Sequence, residues 1–219
     1  MTRVALKGLL GRKVRAFLTA LAIVLGVAMV SGSFVLTDTI SKAFTSIFSS
    51  AYDNTDAVVS GKKLVDYSSS GNATVSPALL AKIRAQKDVA AAAGAVMDLN
   101  GDSTRAKLIG KDGKAINNAG APTFGFGIDT SQPRFNPLKL ESGRWATAPG
   151  EVVVDLDTAK NEHFNVGDSI RVASNGPEQR FRIVGTAKYG DVESLGGATF
   201  AAFTISQAQK LMHINGYTA

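Results

Sequence analysis

Twenty-two consecutive uncharged residues, Ala16–Thr37 (AFLTALAIVLGVAMVSGSFVLT), constrain this chain more than any other stretch. As a helix rising about 1.5 Å per residue the run is roughly 33 Å long, enough to cross a hydrocarbon core of about 30 Å. A cleaved signal peptide has a shorter apolar core, of about 7 to 15 residues, and a small-x-small site after it. Here the triplet Ser31-Gly32-Ser33 lies inside the run, ahead of Phe34-Val35-Leu36. A retained transmembrane helix is therefore expected. Ala22 and Gly26, then Ala28 and Gly32, are spaced four apart, which marks Gly26 and Gly32 as candidate helix-packing positions.

Charge sets the expected orientation. Arg3, Lys7, Arg12, Lys13 and Arg15 precede the run without an acid among them, leaving 19 basic against 18 acidic residues in the remainder. The net charge of +6 is thus mostly a property of the N-terminal tail. A basic flank faces the cytoplasm, so Arg12, Lys13 and Arg15 place the N-terminus there and residues after about 38 outside. The soluble part carries no basic stripe, which argues against nucleic acid as a partner. Cysteine is absent, so disulfides and thiolate metal sites are excluded.

The chain then divides into a basic lead-in at 1–15, a transmembrane helix with its stalk at 16–51, and an extracytoplasmic domain at 52–219. Val4–Val14 has the leucines on one side and most cations on the other, as a segment lying on the membrane surface would. Ile40, Phe44, Ile47 and Phe48 keep a helical period beyond the membrane and predict the stalk. A strand at Ala57–Ser60, a helix from Pro77 capped by Ser76, and a returning strand at Ala90–Leu99 form an expected βαβ unit. Asn100-Gly101-Asp102 predicts a turn into a further strand at Arg105–Ile109. From Gly110 to Pro137 the composition of Gly, Asn, Asp and Pro reads as a loop or insertion. Strands are expected at 151–154, 169–173, 180–184 and 198–203, with short helices at 157–162 and 206–212. The fold class is α+β: one N-terminal transmembrane helix, then a βαβ part and an inserted mainly-β subdomain. Gly143, Gly167 and Asp168 are the expected structural turn residues, with Gly167 at positive φ.

No catalytic constellation emerges from the residues. His163 and His213 fall in separate elements without carboxylates at ligand spacing, so no metal is expected. Glu151, Asp155 and Asp157 sit where a strand ends and a helix begins, a place that favours acids electrostatically. Gly110-Lys111-Asp112-Gly113-Lys114 lacks P-loop spacing, and Gly125-Phe126-Gly127 lacks a third glycine, so no nucleotide or other cofactor is expected.

Two regions carry a family resemblance. Leu6–Val30 resembles the first membrane helix, with its basic lead-in, of MacB/FtsX-like ABC-transporter permeases. Glu141–Val172, Phe181–Gly190 and Ile205–Met212 are similar, in order, to the periplasmic core domain of that family, with a Gly-Arg, a Glu-Val-Val strand, a Gly-Asp turn and a later Val-Gly. The resemblance implies a non-enzymatic permease subunit of the inner membrane, its outer domain relaying ATP hydrolysis by a separate ATPase into export or extraction of a lipophilic or peptide substrate. It implies as partners the bilayer, that ATPase and a second permease in a homo- or heterodimer. It also implies a porter-like βαβ part at 57–99 that is completed by chain beyond Ala219. The alternative from another class is a free-standing, membrane-anchored binding or sensor domain without an ATPase.

Overall fold

The computed structural model describes residues 13–51, 54–61, 74–98, 106–116, 121–174, 176–192 and 197–219. The expected surface segment at 4–14, the turn at 100–102 and Arg12 therefore lie outside, or almost wholly outside, the described residues.

Helix α1 (Lys13–Ala51) takes up the whole apolar run and continues through 39 residues. Within Lys13–Asp38 the most apolar 18 residues have a mean hydropathy of 2.2, and none of them is buried. Phe17, Leu25, Met29, Phe34 and Leu36 are all exposed. The hydroxyls of Thr19 and Thr37 donate to the carbonyls four residues back, at 2.8 and 2.9 Å. In that way the two threonines satisfy their own polar groups within the helix, as an apolar surrounding requires.

Residues 49–219 form a second compact unit. Among the described residues its frame is a single mixed sheet of eight strands, ordered β1-β3-β8-β5-β7-β6-β2, with β4 also paired to β7. The strands are β1 (Val96–Asp98), β2 (Lys107–Ile109), β3 (Thr123–Ile128), β4 (Leu138–Gly143), β5 (Glu151–Asp155), β6 (Ser169–Ala173), β7 (Gln179–Tyr189) and β8 (Thr199–Thr204). β3 with β8 and β5 with β7 run parallel; the other pairs are antiparallel. The long β7 meets β6 with its first half and β4 with its second, while β5 lies along its other side. Among the described residues three α-helices accompany the sheet, α2 (Pro77–Arg84), α3 (Leu156–Asn161) and α4 (Ile205–Met212).

Local chemistry sets the helix starts. Ser76 accepts from Leu79 N ahead of Pro77, Asp155 accepts from Thr158 N, and Thr204 accepts from Gln207 N. Each cap satisfies one of the four N–H groups that a helix start leaves without a partner. One face of the sheet carries Val152, Val154, Phe181, Ile183 and Phe203 against Leu211 and Met212 of α4. The other face buries an aromatic cluster in which Phe126 stands 5.8 Å from Phe200 and 6.0 Å from Tyr189.

Three expectations are corrected. Residues 57–60 are in no strand, and after α2 only Val96–Asp98 pairs, antiparallel to β3, so no parallel βαβ unit forms. Alanine and glycine at 90–95 offer little side chain to hold a strand against a neighbour. The sheet is continuous rather than split into a βαβ part and an inserted β subdomain. The region read as a loop contains β3, because alternating Phe and Gly has the two-residue period of a strand despite its glycines. The broad class, α+β behind an apolar N-terminal helix, stands.

Candidate binding cleft

Segment 55–59, α2 with its flanks, the run Val89–Ala95, and the sheet at β1 and β3 enclose a cleft of about 380 Å³. That volume falls in the range of small-ligand sites, about 300 to 1,000 Å³. Leu80 and Ile83 come from α2, Met97 and Phe126 from the sheet, and Tyr189 and Tyr217 close it. The alternation of β3 explains why Phe126 belongs here: its phenylalanines point to one face while Gly125 and Gly127 lie under α4 on the other. A Cβ at Gly127 would stand 2.9 Å from Ala208 Cβ and 3.1 Å from Ile205 Cα. These glycines let a helix approach a strand; they do not cradle a phosphate.

Asp56, Asp88, Asp129 and Arg134 line the cleft as its charged groups. Arg134 lies over the Phe135 ring, 5.1 Å from its centroid. Asp129 accepts from the Ser131 N–H at 3.0 Å and the Ser131 hydroxyl at 2.6 Å, which fixes the turn leading to Pro133. Apolar walls set with a few carboxylates are a lining of the kind that holds a small ligand by shape and charge.

The residues singled out from sequence lie elsewhere. Gly143 has φ +72° and Gly167 φ +105°. Both border a shallow surface recess over Ile183 and Val184 of β7. Gly167 N donates to Ile183 O at 2.8 Å, and Arg144 N to Val184 O at 2.9 Å, so the two turns are tied to the same short piece of β7. Asp168 accepts from Asn165 N at 3.0 Å and pairs with Lys111 Nζ at 3.3 Å. These contacts hold its carboxyl below the usual range. Lys13 and Arg15 open α1, and Gly26 and Gly32 lie on it with open space where a Cβ would project.

The acidic trio serves structure. Glu151 pairs with Arg144 and also accepts from Thr147 N at 2.9 Å and Ala148 N at 3.2 Å. The Arg144 hydrogen bond, then the Thr147 N–H, bring its carboxyl down to about 2. Asp155 is buried, capping α3 with one oxygen and accepting from Phe200 N at 3.0 Å with the other. Burial pushes its carboxyl up, against those two hydrogen bonds. Asp157 accepts from Asn161 Nδ2 at 3.1 Å in the first turn of α3. His163 and His213 both have left-handed backbone, at φ 55° and 53°, where α3 and α4 end. Among the described residues no group of three or more His, Cys, Asp or Glu is placed to hold a metal.

Comparison with known proteins identifies the family. The model of the MacB-like periplasmic core domain matches residues 16–218. The chain belongs to that family. The match takes in the apolar helix together with the sheet domain, so the MacB-like resemblance of both regions is borne out. Among solved structures the chain is similar to the extracellular domain of the noncanonic ABC-type transporter YknZ from Gram-positive bacteria. That similarity has 10% sequence identity, a TM-score of 0.47, and coverage of 66% of this chain and 70% of the other. No curated protein matches the sequence. The cleft was missed from sequence because its walls come from six separate stretches of the chain, 55–59, 75–83, 88–97, 126–137, 189 and 217–219. The one available signal was the run of alanines after Val89, too poor in side chains for the strand it was assigned to.

Proposed function

We propose that this MacB-like chain is part of the permease subunit of an ABC-type transporter. Its N-terminus lies in the cytoplasm, α1 spans the cytoplasmic membrane, and residues after about 38 are outside. The outer domain couples ATP hydrolysis by a separate ATPase subunit to export or extraction of a lipophilic or peptide substrate. The permease works as a homo- or heterodimer. One observation carries the reading: a single family covers the membrane helix and the sheet domain without a break. The basic flank of α1 supports the orientation.

Two measurements test this. Sequencing past Ala219 is expected to find further apolar spans beside a gene for an ATP-binding subunit that copurifies with the permease. A stop codon with no ATPase nearby would favour the free-standing anchored binder. Orientation is open to cysteine labelling, since residues 1–219 contain none. On intact cells an impermeant maleimide should label Lys210→Cys and spare Lys7→Cys; the reverse pattern would refute the topology.

A further inference from the structure

We propose that the outer face of β2, β6 and β7 is a docking surface for an extended acidic segment of a partner protein, whose carboxylates at alternate positions meet Arg180 and Arg182. The surface belongs to the sheet domain and is independent of the transporter reading.

Strand alternation gives these cations their place. Ile170 and Val172 of β6, with Phe181 and Ile183 of β7, belong to the core, so the residues between them stand on the opposite face. There Arg171 lies directly opposite Arg180, Ser169 opposite Arg182, and Lys107 of β2 opposite Ala173. Arg180 and Arg182 are exposed, and Lys107 and Arg171 are half-buried. β2 ends the sheet on the side away from β1, so this basic face lies far from the cleft in strand order.

Charge on the face does not balance. Like charges directly opposite each other in an antiparallel pair are destabilising. Glu178 relieves Arg171, at 3.2 Å, and leaves Arg180 without an acid. Glu151 stands opposite Arg182 in the ladder, yet its carboxylate is taken by Arg144 and by the amides of Thr147 and Ala148. Among the described residues, the side chains of Lys107, Arg180 and Arg182 make no ion pair or hydrogen bond.

The guanidinium fork matches a carboxylate with two parallel hydrogen bonds. Arg180 and Arg182 are two residues apart on one strand, about 6.8 Å, which is also the spacing of alternate side chains in an extended segment. One acidic segment laid along β7 therefore reaches both. Beyond Arg182 the shallow recess over Ile183 and Val184, with Val166 46% exposed beside it, takes an apolar side chain two residues further on. Glu178 and Glu151, set among the cations, suit a patterned chain; a uniformly anionic bilayer would meet them as like charges.

The full chain in phosphatidylcholine nanodiscs is titrated, with anisotropy as the readout, against a fluorescein-labelled, end-capped octapeptide of serines carrying two glutamates at alternate positions and a leucine two residues beyond. Saturable binding that weakens with added salt is expected. Arg180→Glu combined with Arg182→Glu should weaken it by about tenfold and create binding of the same peptide with lysines for glutamates, a gain that an unfolded variant cannot give. Lys210→Gln, on α4, should change neither. Equal affinity of the native chain and the double variant for the acidic peptide would overturn the proposal. So would equal binding of a peptide with its two glutamates adjacent, which removes the spacing and keeps the charge. Displacement of the peptide by phosphatidylglycerol vesicles at equal charge would give the face to lipid headgroups instead, and displacement by a second copy of the chain, seen as dimerisation in sedimentation, would give it to self-association; either refutes the acidic partner.

Discussion

At the scale of single residues, Gly143 and Glu151 hold one corner of the sheet together by different means. A Cβ on Gly143 would stand 2.2 Å from Val184 O, and its φ of +72° suits glycine alone. Gly143→Ala is expected to cost roughly 3 kcal/mol, from backbone strain plus overpacking, measured by chemical denaturation. Glu151 acts through charge. Its carboxyl ionises at about 2 in the folded protein, below the ordinary value of about 4.3 in the unfolded chain. Its contribution is therefore present above about pH 4.5 and is lost as pH falls towards 2. Asp168, lowered in the same direction, adds to that loss. Glu151→Gln should flatten the acid limb of a stability-versus-pH curve while leaving its shape near neutrality; an unchanged acid limb would contradict the pairing with Arg144. Asp155 has the opposite sign: with its carboxyl raised by burial, its ionisation opposes folding as pH climbs.

At the scale of elements, β3 and α4 depend on each other through two glycines that meet different neighbours. At Gly127 a Cβ would press on Ala208 Cβ at 2.9 Å, Val96 Cβ at 3.0 Å and Ile205 Cα at 3.1 Å, none of which can move without its helix or strand. At Gly125 the nearest atom is Met212 Sδ, 2.7 Å away at the end of a flexible side chain. Gly127→Ala should therefore destabilise by about 1 to 3 kcal/mol and Gly125→Ala by clearly less. Thermal unfolding of the two variants side by side checks the order, and the reverse order would mean that α4 yields as a body. The α4 boundary was legible in sequence to within two residues, because Thr204 and Ser206 are both capping residues before a helix-forming run, and the structure uses Thr204. Its close approach to β3 was not, since that depends on which face the glycines of a distant strand present.

At the scale of the whole molecule, the two compact units differ in what they bury. Helix α1 exposes its apolar side chains from Val14 to Leu36, whereas the unit at 49–219 encloses Phe126, Phe181, Phe200 and Phe203 almost completely. Removing residues 1–48 should release the sheet domain into the aqueous fraction of a cell lysate, with the full chain staying in the membrane pellet. Recovery of the shortened chain only from membranes would show a second site of membrane attachment on the domain.

The sequence by itself determined what short-range physics controls. An uncharged run of sufficient length specifies a long apolar helix, and capping chemistry starts α2, α3 and α4. Alternation on both sides of 174–178 specifies the β6 and β7 hairpin. Tertiary structure alone decided where strands of distant sequence meet. β1 and β2, expected to follow one another through a turn, lie at opposite edges of one sheet. β3, read as a loop, lies parallel to β8, 76 residues further on, with Thr123 opposite Thr199. Pairing of this kind is settled by the shape and burial of whole faces, which no local pattern records. For the same reason the cleft, walled by six separate stretches, became visible only in three dimensions.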